Sequence, residues 1–186
     1  MGWMAVNEKI ARADLSSLKV LYFPDPHLRE KCTPVEAVDV SVQALVERMF
    51  ELMFESRGVG LAGSQVGVSV RLFIASPTFS PDDRRVYINP RIVAAEGTQE
   101  GDEGCLSFPN IYTKVKRHGK VTIRAQNLKG EWFEETAEAL AARILEHEID
   151  HLDGRLLVDR MGTVAKLAHR KAIHQLEKAF AGKNDK

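Results

Sequence analysis

The chain has 186 residues, a length that predicts one domain of ordinary size. Hydrophobic residues make up 44% and charged residues 28%, close to the average of globular domains, so the composition disfavours wholesale disorder and fibrous repeats. The 26 basic and 26 acidic residues cancel, which gives no electrostatic reason to expect a nucleic-acid or membrane-surface partner.

The start of the chain carries no pattern typical of a targeting segment. The segment MGWMAVNEKI lacks the long apolar stretch of a signal peptide, and Val6 stands where a myristoylation motif has Ser or Thr. No apolar run approaches the roughly 18–20 residues that a membrane-spanning helix needs. We therefore expect a protein of the cytoplasm, with no membrane partner.

The first strongly periodic segment predicts an amphipathic helix over residues 41–56. Its apolar side chains recur at helical spacing, Asp39 or Ser41 can cap its start, and Gly58 can end it. We expect its apolar stripe to pack against the core. Four glycines follow within RGVGLAGSQVGVSV, a density that predicts a loop whose backbone closely approaches another group.

The middle of the chain predicts an antiparallel sheet, because short apolar or alternating segments follow one another between Pro- and Asp-containing turns. The turn NLKG joins the last two of these segments as a hairpin. The acidic, glycine-rich stretch EGTQEGDEG is interpreted as a turn, with a strand beginning at Cys105. The predicted strands lie at 70–75, 85–90, 91–97, 120–126 and 131–135.

The last part of the chain predicts two more helices. One runs from Thr136 to a terminating Gly154, and the other runs from about Thr163 to Phe180, followed by a polar tail from about 181. Helix, strands and helix in this order indicate the α+β class, in a single domain over 1–186 with one helix lying against the sheets.

Residues 147–151, His-Glu-Ile-Asp-His, lie inside the first of these helices. Side chains four residues apart lie on the same helix face, so His147 and His151 can reach one metal ion. Both continue the apolar stripe of Leu140 and Ile144, which we expect to face the core. The alternative is a pair of core or surface histidines with ordinary hydrogen bonds.

A catalytic zinc-type site has three protein ligands, so the two histidines need a third. Cys105 is the best candidate, because its setting, Glu-Gly-Cys-Leu-Ser at 103–107, could hold a thiolate beside a helix. Two cysteines are too few for the disulfide framework of a small secreted domain. Cys32 has no such setting and is predicted to be a small packing residue.

Three motifs in one order, GVGLAGSQ at 58–65, EGCLS at 103–107 and HEIDH at 147–151, resemble the three signatures of the peptide deformylases. The stretch FPDPHLR at 23–29 resembles the amino-terminal segment of that family, and the resemblance covers roughly residues 18–170. It implies antiparallel sheets packed around a central metal-binding helix, with an amino-terminal and a carboxy-terminal helix. The implied activity is removal of the formyl group from the amino-terminal formylmethionine of new polypeptides, with release of formate.

The resemblance also implies roles for individual residues. It implies Fe²⁺ as the metal, with Zn²⁺, Ni²⁺ or Co²⁺ as substitutes, and formylated nascent chains near the ribosome as partners. Glu148 would carry protons, Gln65 and the backbone N–H of Leu106 would hold the oxyanion, and Gly60 would contact the substrate backbone. The implied metal ligands are Cys105, His147 and His151.

Five further positions carry expectations of their own. Glu103 and Arg117 match a buried acid–arginine pair that braces the cysteine strand, with a solvated surface pair as the alternative. Gly63 replaces the usual alanine of the first signature, and Ala is expected to be tolerated there if the backbone φ is negative. Tyr112 replaces an arginine near the cleft. Asp150 is expected either to orient an imidazole or to be a helix surface charge.

Two other functions remain open at this stage. A zinc endopeptidase would share the HExxH helix, although cysteine replaces its usual third His or Glu ligand. A non-catalytic metal-binding module would keep the three ligands but has no need of Glu148 or Gln65.

Overall fold

A computed structural model describes residues 7–184 of the chain. The predictions that the chain has no signal peptide and no myristoylation site concern its first residues, and residues 1–6 lie outside the described part. Between residues 7 and 184, no helix is both long and apolar enough to cross a membrane. The helices are α1 (Glu8–Ala11), α2 (Val40–Glu55), α3 (Ala139–Leu152), α4 (Leu157–Arg160) and α5 (Thr163–Asn184).

The strands form two antiparallel sheets. They are, in chain order, β1 (Gly60–Ala62), β2 (Leu72–Ala75), β3 (Arg85–Glu96), β4 (Gln99–Cys105), β5 (Phe108–Arg117), β6 (Lys120–Gln126) and β7 (Trp132–Glu138). A five-stranded sheet has the order β1-β2-β3-β6-β7, and β4 and β5 form a separate hairpin. This arrangement confirms the α+β class, with antiparallel sheets and α3 between them.

Helix α2 begins within one residue of its predicted start. The side chain of Asp39 accepts hydrogen bonds from the N–H groups of Ser41 and Val42, which satisfies two of the free donors at the helix start. The helix ends differently from the prediction, because Arg57, and not Gly58, takes the left-handed conformation after it, with φ 57°. The predicted apolar stripe is buried in the core, as expected.

The β4–β5 hairpin corrects the prediction of a turn at 96–104. Gln99–Cys105 is a strand paired along its length with β5, so Cys105 ends a strand and does not begin one. The sequence did not predict this strand, because glycine and acidic residues have low intrinsic strand propensity. The residues that pair with it also lie further along the chain. The two segments predicted at 85–90 and 91–97 are one continuous strand, β3, whose pairing with β6 has two register shifts.

Helix α3 lies across the five-stranded sheet and positions the HEIDH segment. Its apolar face, which includes Ile149 and Leu152, packs with Phe73 and Ile123 of the sheet. The helix begins at Ala139, three residues after the predicted start, because residues 136–138 belong to β7. Gly154 follows its end with φ 73°, which confirms the predicted terminator.

Helix α5 packs over β5 and α4 through Ala172, Ile173 and Leu176. It continues to Asn184, four residues beyond its predicted end at Phe180. Cys32 is buried in the core beside α3, as predicted for a packing residue.

Candidate metal and active site

The centre of the candidate site is a thiol and two imidazoles. His147 and His151 lie one turn apart on α3, and their ring centroids are 5.0 Å apart. Cys105 reaches them from the last position of β4, and its Sγ lies 3.2 Å from Nε2 of His151. One donor atom from each of the three residues lies within 4.8 Å of the others. The structure therefore brings together all three residues that the sequence suggested as ligands.

The surroundings of these three side chains fit a divalent metal ion. Glu103 accepts a hydrogen bond from Nδ1 of His147 at 3.1 Å, which leaves Nε2 as the free nitrogen of that ring. Nδ1 of His151 is buried and has no hydrogen-bond partner in the described part of the chain. One thiolate and two imidazoles form a donor set that suits several divalent transition metals.

Glu148 lies between the two histidines in sequence. It lines a cavity of about 580 Å³ that Cys105 and His147 also line. Its side chain is buried, and Oε2 has no hydrogen-bond partner among residues 7–184. Burial disfavours the charged carboxylate and raises the pKa of Glu148 to about 7. A buried carboxyl group that lines the cavity can accept and return a proton.

Gly60 of β1 makes room for this carboxyl group. A Cβ atom built on Gly60 would overlap Oε1 of Glu148. The predicted close approach of the glycine-rich segment is therefore confirmed. The prediction of a continuous loop is wrong, since the segment contains β1 and a short 3-10 turn, Gly63–Val66.

Gln65 lies in that 3-10 turn with both ends of its amide held. Oε1 accepts the N–H of Ala62 at 2.9 Å, and Nε2 donates to Oγ of Ser107 at 3.1 Å. Nε2 also lies 3.6 Å from Sγ of Cys105. Leu106 occupies the tight turn between β4 and β5, where Cys105 pairs with Phe108, and it lines the same cavity. The Gln65 amide is therefore fixed next to the thiol.

Gly63 does not need the conformational freedom of glycine, because its φ lies outside the left-handed range. A Cβ at this position would nevertheless lie 2.6 Å from the carbonyl oxygen of Val68 and 2.9 Å from that of Val70. The expectation that a suitable φ is enough for alanine is therefore wrong, since the 68–70 backbone would also have to move.

Buried arginines support the cysteine strand. Arg117 donates to both carboxylate oxygens of Glu103, at 2.8 and 2.9 Å, which confirms a buried pair and excludes the solvated alternative. Burial alone would raise the pKa of Glu103, but hydrogen bonds from Arg117 and His147 outweigh it and hold the pKa well below its usual range. Glu103 is therefore a carboxylate that can fix the ring of His147.

Asp150 has a role that neither earlier alternative described. It is buried and accepts hydrogen bonds from Arg117 and Arg160, so it is not a surface charge and it orients no imidazole directly. Its contacts tie α3 to β5 and α4. Arg117 links it to Glu103, and thereby to His147.

Two residues of the site were missed in the sequence. Arg143 lies one helical turn before His147 and donates to Glu103, so its spacing on α3 was the available signal. Ser107 lies two residues after Cys105 in the second motif and accepts a hydrogen bond from Gln65.

Leu140 was expected in the core, but it lines the cavity and is 56% exposed. Tyr112 lines the same cavity and is 68% exposed.

Comparisons with known proteins agree with this architecture. The family model described as polypeptide deformylase matches residues 17–166. A peptide deformylase of Acidobacterium capsulatum is 44% identical over 162 residues, covering 86% of this chain and 95% of the relative. The crystal structure of a plant peptide deformylase superposes with a TM-score of 0.88 at 37% identity, covering 92% of this chain and 95% of that one. A peptide deformylase from Legionella pneumophila gives a TM-score of 0.82 at 41% identity, covering 88% and 97%.

Proposed function

The chain belongs to the peptide deformylase family, and we propose that Cys105, His147 and His151 hold the metal ion on which its reaction depends. As a member of this family it is a hydrolase that removes the amino-terminal formyl group of newly made polypeptides and releases formate. The endopeptidase and the non-catalytic module find no support among its relatives.

One observation carries the assignment of the site. The thiol of Cys105, the imidazole of His147 and the carboxyl group of Glu148 all line one cavity. A metal-binding module would need the donor atoms alone. A buried carboxyl group beside them, with an oxygen left without a partner, is what proton transfer during hydrolysis requires.

The ion supplies Lewis-acid chemistry, which makes water a usable nucleophile near neutral pH. We propose Fe²⁺ as the native ion and Zn²⁺, Ni²⁺ or Co²⁺ as substitutes. The donor set of one thiolate and two imidazoles accepts all four ions. Affinity alone would favour zinc over ferrous iron, so the proposal of iron rests on the resemblance to the family and needs direct metal analysis.

Glu148 acts as the proton carrier. Its carboxyl group takes a proton from the attacking water as the oxygen of that water bonds to the formyl carbon. The same carboxyl group then gives the proton to the departing amino nitrogen as the carbon–nitrogen bond breaks, which releases formate and the free amino terminus. A pKa near 7 suits both directions of transfer, since the group can then hold and give up a proton at neutral pH.

Gln65 and Leu106 stabilise the negative charge that develops on the formyl oxygen. The amide of Gln65 is held on both sides, by Ala62 and by Ser107, so little reorganisation is needed when charge appears. The backbone N–H of Leu106 is the second donor, in the turn after Cys105. A donor of this kind contributes about 3–4 kcal/mol to stabilising the transition state in other enzymes.

Gly60 contacts the substrate backbone. Strand β1 is at one edge of the five-stranded sheet, so its outer backbone groups can pair with an extended peptide. The substrate is an amino-terminal formylmethionyl peptide or nascent chain. Because such chains emerge from ribosomes, we place the enzyme in the cytoplasm and near them, and a fractionation of cells that produce the tagged protein would test this location.

The central experiment uses protein purified without air. Formate release from formyl-Met-Ala-Ser is measured beside cleavage of an unformylated internal peptide, and the bound metal is quantified on the same sample. We expect formate release, no internal cleavage and close to one Fe²⁺ per chain. Internal cleavage or the absence of formate would contradict the activity, whereas stoichiometric zinc with full activity would contradict only the proposed ion.

A further inference from the structure

The cavity wall next to His147 carries a guanidinium group that the proposed mechanism does not use. Leu140, Arg143, Ile144 and His147 succeed one another at steps of three, one and three along α3, and all four line the cavity. Leu140 and Ile144 offer apolar surface to the cavity. Arg143 places a positive charge within that apolar wall.

Arg143 is firmly held through one of its nitrogens. Nη1 donates to Oε1 of Glu103 at 2.9 Å, to the carbonyl oxygen of Val115 at 2.9 Å and to that of Gly101 at 3.3 Å. The side chain is 7% exposed. The guanidinium is therefore fixed, and its orientation does not depend on a ligand.

The other side of the guanidinium has donors left over. A guanidinium has five N–H groups, of which three belong to Nε and Nη2. Neither nitrogen has a hydrogen bond to a residue between 7 and 184, and both keep some accessible surface on a side chain that lines the cavity. Unmet donors of a nearly buried charged group favour a ligand that brings an acceptor.

Gly101 leaves room for the guanidinium in this position. A Cβ on Gly101 would lie 3.1 Å from Nη2 and 3.4 Å from Cζ of Arg143, so the planar group rests against bare backbone. A larger residue at 101 would cover Nη2 or push it aside. The position of the Arg143 donors therefore depends on the absence of a side chain at 101.

We propose that Arg143 is a specificity-determining residue, which lets the pocket accept a first side chain with a hydrogen-bond acceptor at its tip. The inference rests on the proposed function, because it concerns the side chain that follows the formyl group. Methionine sulfoxide is the substrate class that fits, since it keeps the length of methionine and adds a strongly accepting oxygen. Nε and Nη2 of Arg143 donate to that oxygen, while Leu140 and Ile144 contact the methylene groups.

The test compares three peptides on each metal-loaded preparation: formyl-Met-Ala-Ser, its methionine sulfoxide form, and its norleucine form, which lacks an acceptor. The ratio of kcat/KM for the sulfoxide to that for norleucine is independent of the fraction of active protein. We expect the wild type to process the sulfoxide within about tenfold of methionine, whereas a wholly apolar pocket would reject an added polar group by about 100-fold.

Arg143→Leu should lower the sulfoxide-to-norleucine ratio at least about tenfold, because the oxygen then enters an apolar wall without a donor. Gly101→Val, which keeps Arg143 but covers Nη2, should shift the ratio in the same direction. If Arg143→Leu does not fold, the sulfoxide-to-norleucine ratios of the wild type and of Gly101→Val still test the role of Arg143.

A wild type that rejects the sulfoxide by more than about tenfold would overturn the proposal, as would an unchanged ratio in both variants. Failure of the proposed function has a different signature, because no formate would then be released from any of the three peptides. Processing of methionine and norleucine with rejection of the sulfoxide would leave the deformylase activity intact and remove only the role of Arg143.

Discussion

Arg117 binds Glu103 through two parallel hydrogen bonds, Nε to Oε1 at 2.8 Å and Nη2 to Oε2 at 2.9 Å, with both side chains buried. The pair ties the two strands of the β4–β5 hairpin together two residues before Cys105. Since Glu103 also accepts from Nδ1 of His147, a single carboxylate connects the cysteine strand to the histidine helix. The position of the thiol relative to the imidazoles thus depends on buried charges.

Removal of one partner from this network should be costly. Arg117→Met leaves Glu103 and Asp150 buried with fewer partners, and breaking a buried pair costs about 3–5 kcal/mol in other proteins. We expect a loss of about 3 kcal/mol in the free energy of unfolding, at the low end of that range, because Arg143 and Arg160 still contact the two acids. Urea denaturation of the metal-loaded protein measures this loss.

The matched control is the exposed pair of Lys120 and Glu138, whose atoms are 3.0 Å apart. Lys120→Met should change the free energy of unfolding by less than about 1 kcal/mol, as exposed ion pairs contribute little. Equal effects of Arg117→Met and Lys120→Met would show that the buried network does not stabilise the fold.

The three proposed ligands should be needed for metal binding. Cys105→Ala, His147→Ala and His151→Ala should each lose most of the bound ion and the activity, because two ligands hold a divalent ion poorly. Cys32→Ala is the matched control. Burial raises the pKa of the Cys32 thiol to about 11, so this cysteine stays protonated in the core and its replacement should leave the metal content unchanged.

Metal analysis of all four variants, purified without air, measures the outcome. Full occupancy in Cys105→Ala would contradict the assignment of the thiolate as a ligand. Loss of metal from Cys32→Ala in a folded protein would point to a different site.

Glu148→Gln should separate metal binding from proton transfer. The amide has the shape of the carboxyl group but cannot act as a base, so we expect full metal occupancy and a loss of about 10²- to 10⁴-fold in kcat. Glu146→Gln is the control, because Glu146 lies on the same helix and accepts hydrogen bonds from His118, away from the cavity. Near-normal formate release by metal-loaded Glu148→Gln would remove Glu148 from the mechanism.

Periodicity located the three longest helices and the histidine pair, because α2 and α3 bury a helical face that local spacing reveals. The four-residue helices α1 and α4 were not predicted. The strand β4 was not predictable in the same way. Gln99–Cys105 has no apolar alternation, and Glu103 is buried there only because Arg117 and Arg143, 14 and 40 residues further along the chain, neutralise it. Propensity contains no information about such partners.

The same limit applies to individual site residues. The HEIDH spacing suggested His147 and His151, and its sequence setting suggested Cys105. The contacts of Asp150, in contrast, depend on α4 and β5 folding back onto α3. Close approaches are also a tertiary property. The clash expected from a methyl group on Gly63 comes from the 68–70 backbone, which no local pattern places there.

Gln65 offers the final prediction, since its amide is the proposed side-chain donor to the oxyanion. Gln65→Leu should lower kcat by about 10²- to 10³-fold, the usual effect of removing one such donor. KM should change little, because the hydrogen bond is strongest in the transition state. Gln65→Glu separates this effect from a structural one. The carboxylate still accepts the N–H of Ala62 but cannot donate to an oxyanion, so its kcat should fall as well.

Steady-state kinetics on both variants, with metal content and unfolding measured on the same samples, tests this assignment. The metal should remain in both variants, because Nε2 of Gln65 is 3.6 Å from Sγ of Cys105 and is not one of the three donor atoms of the cluster. If Gln65→Leu raised KM with an unaltered kcat, the amide would bind the ground state and the transition state equally and would not be an oxyanion donor. If kcat fell only in a variant that had also lost its metal, the fall would reflect a damaged metal site and not the loss of an oxyanion donor.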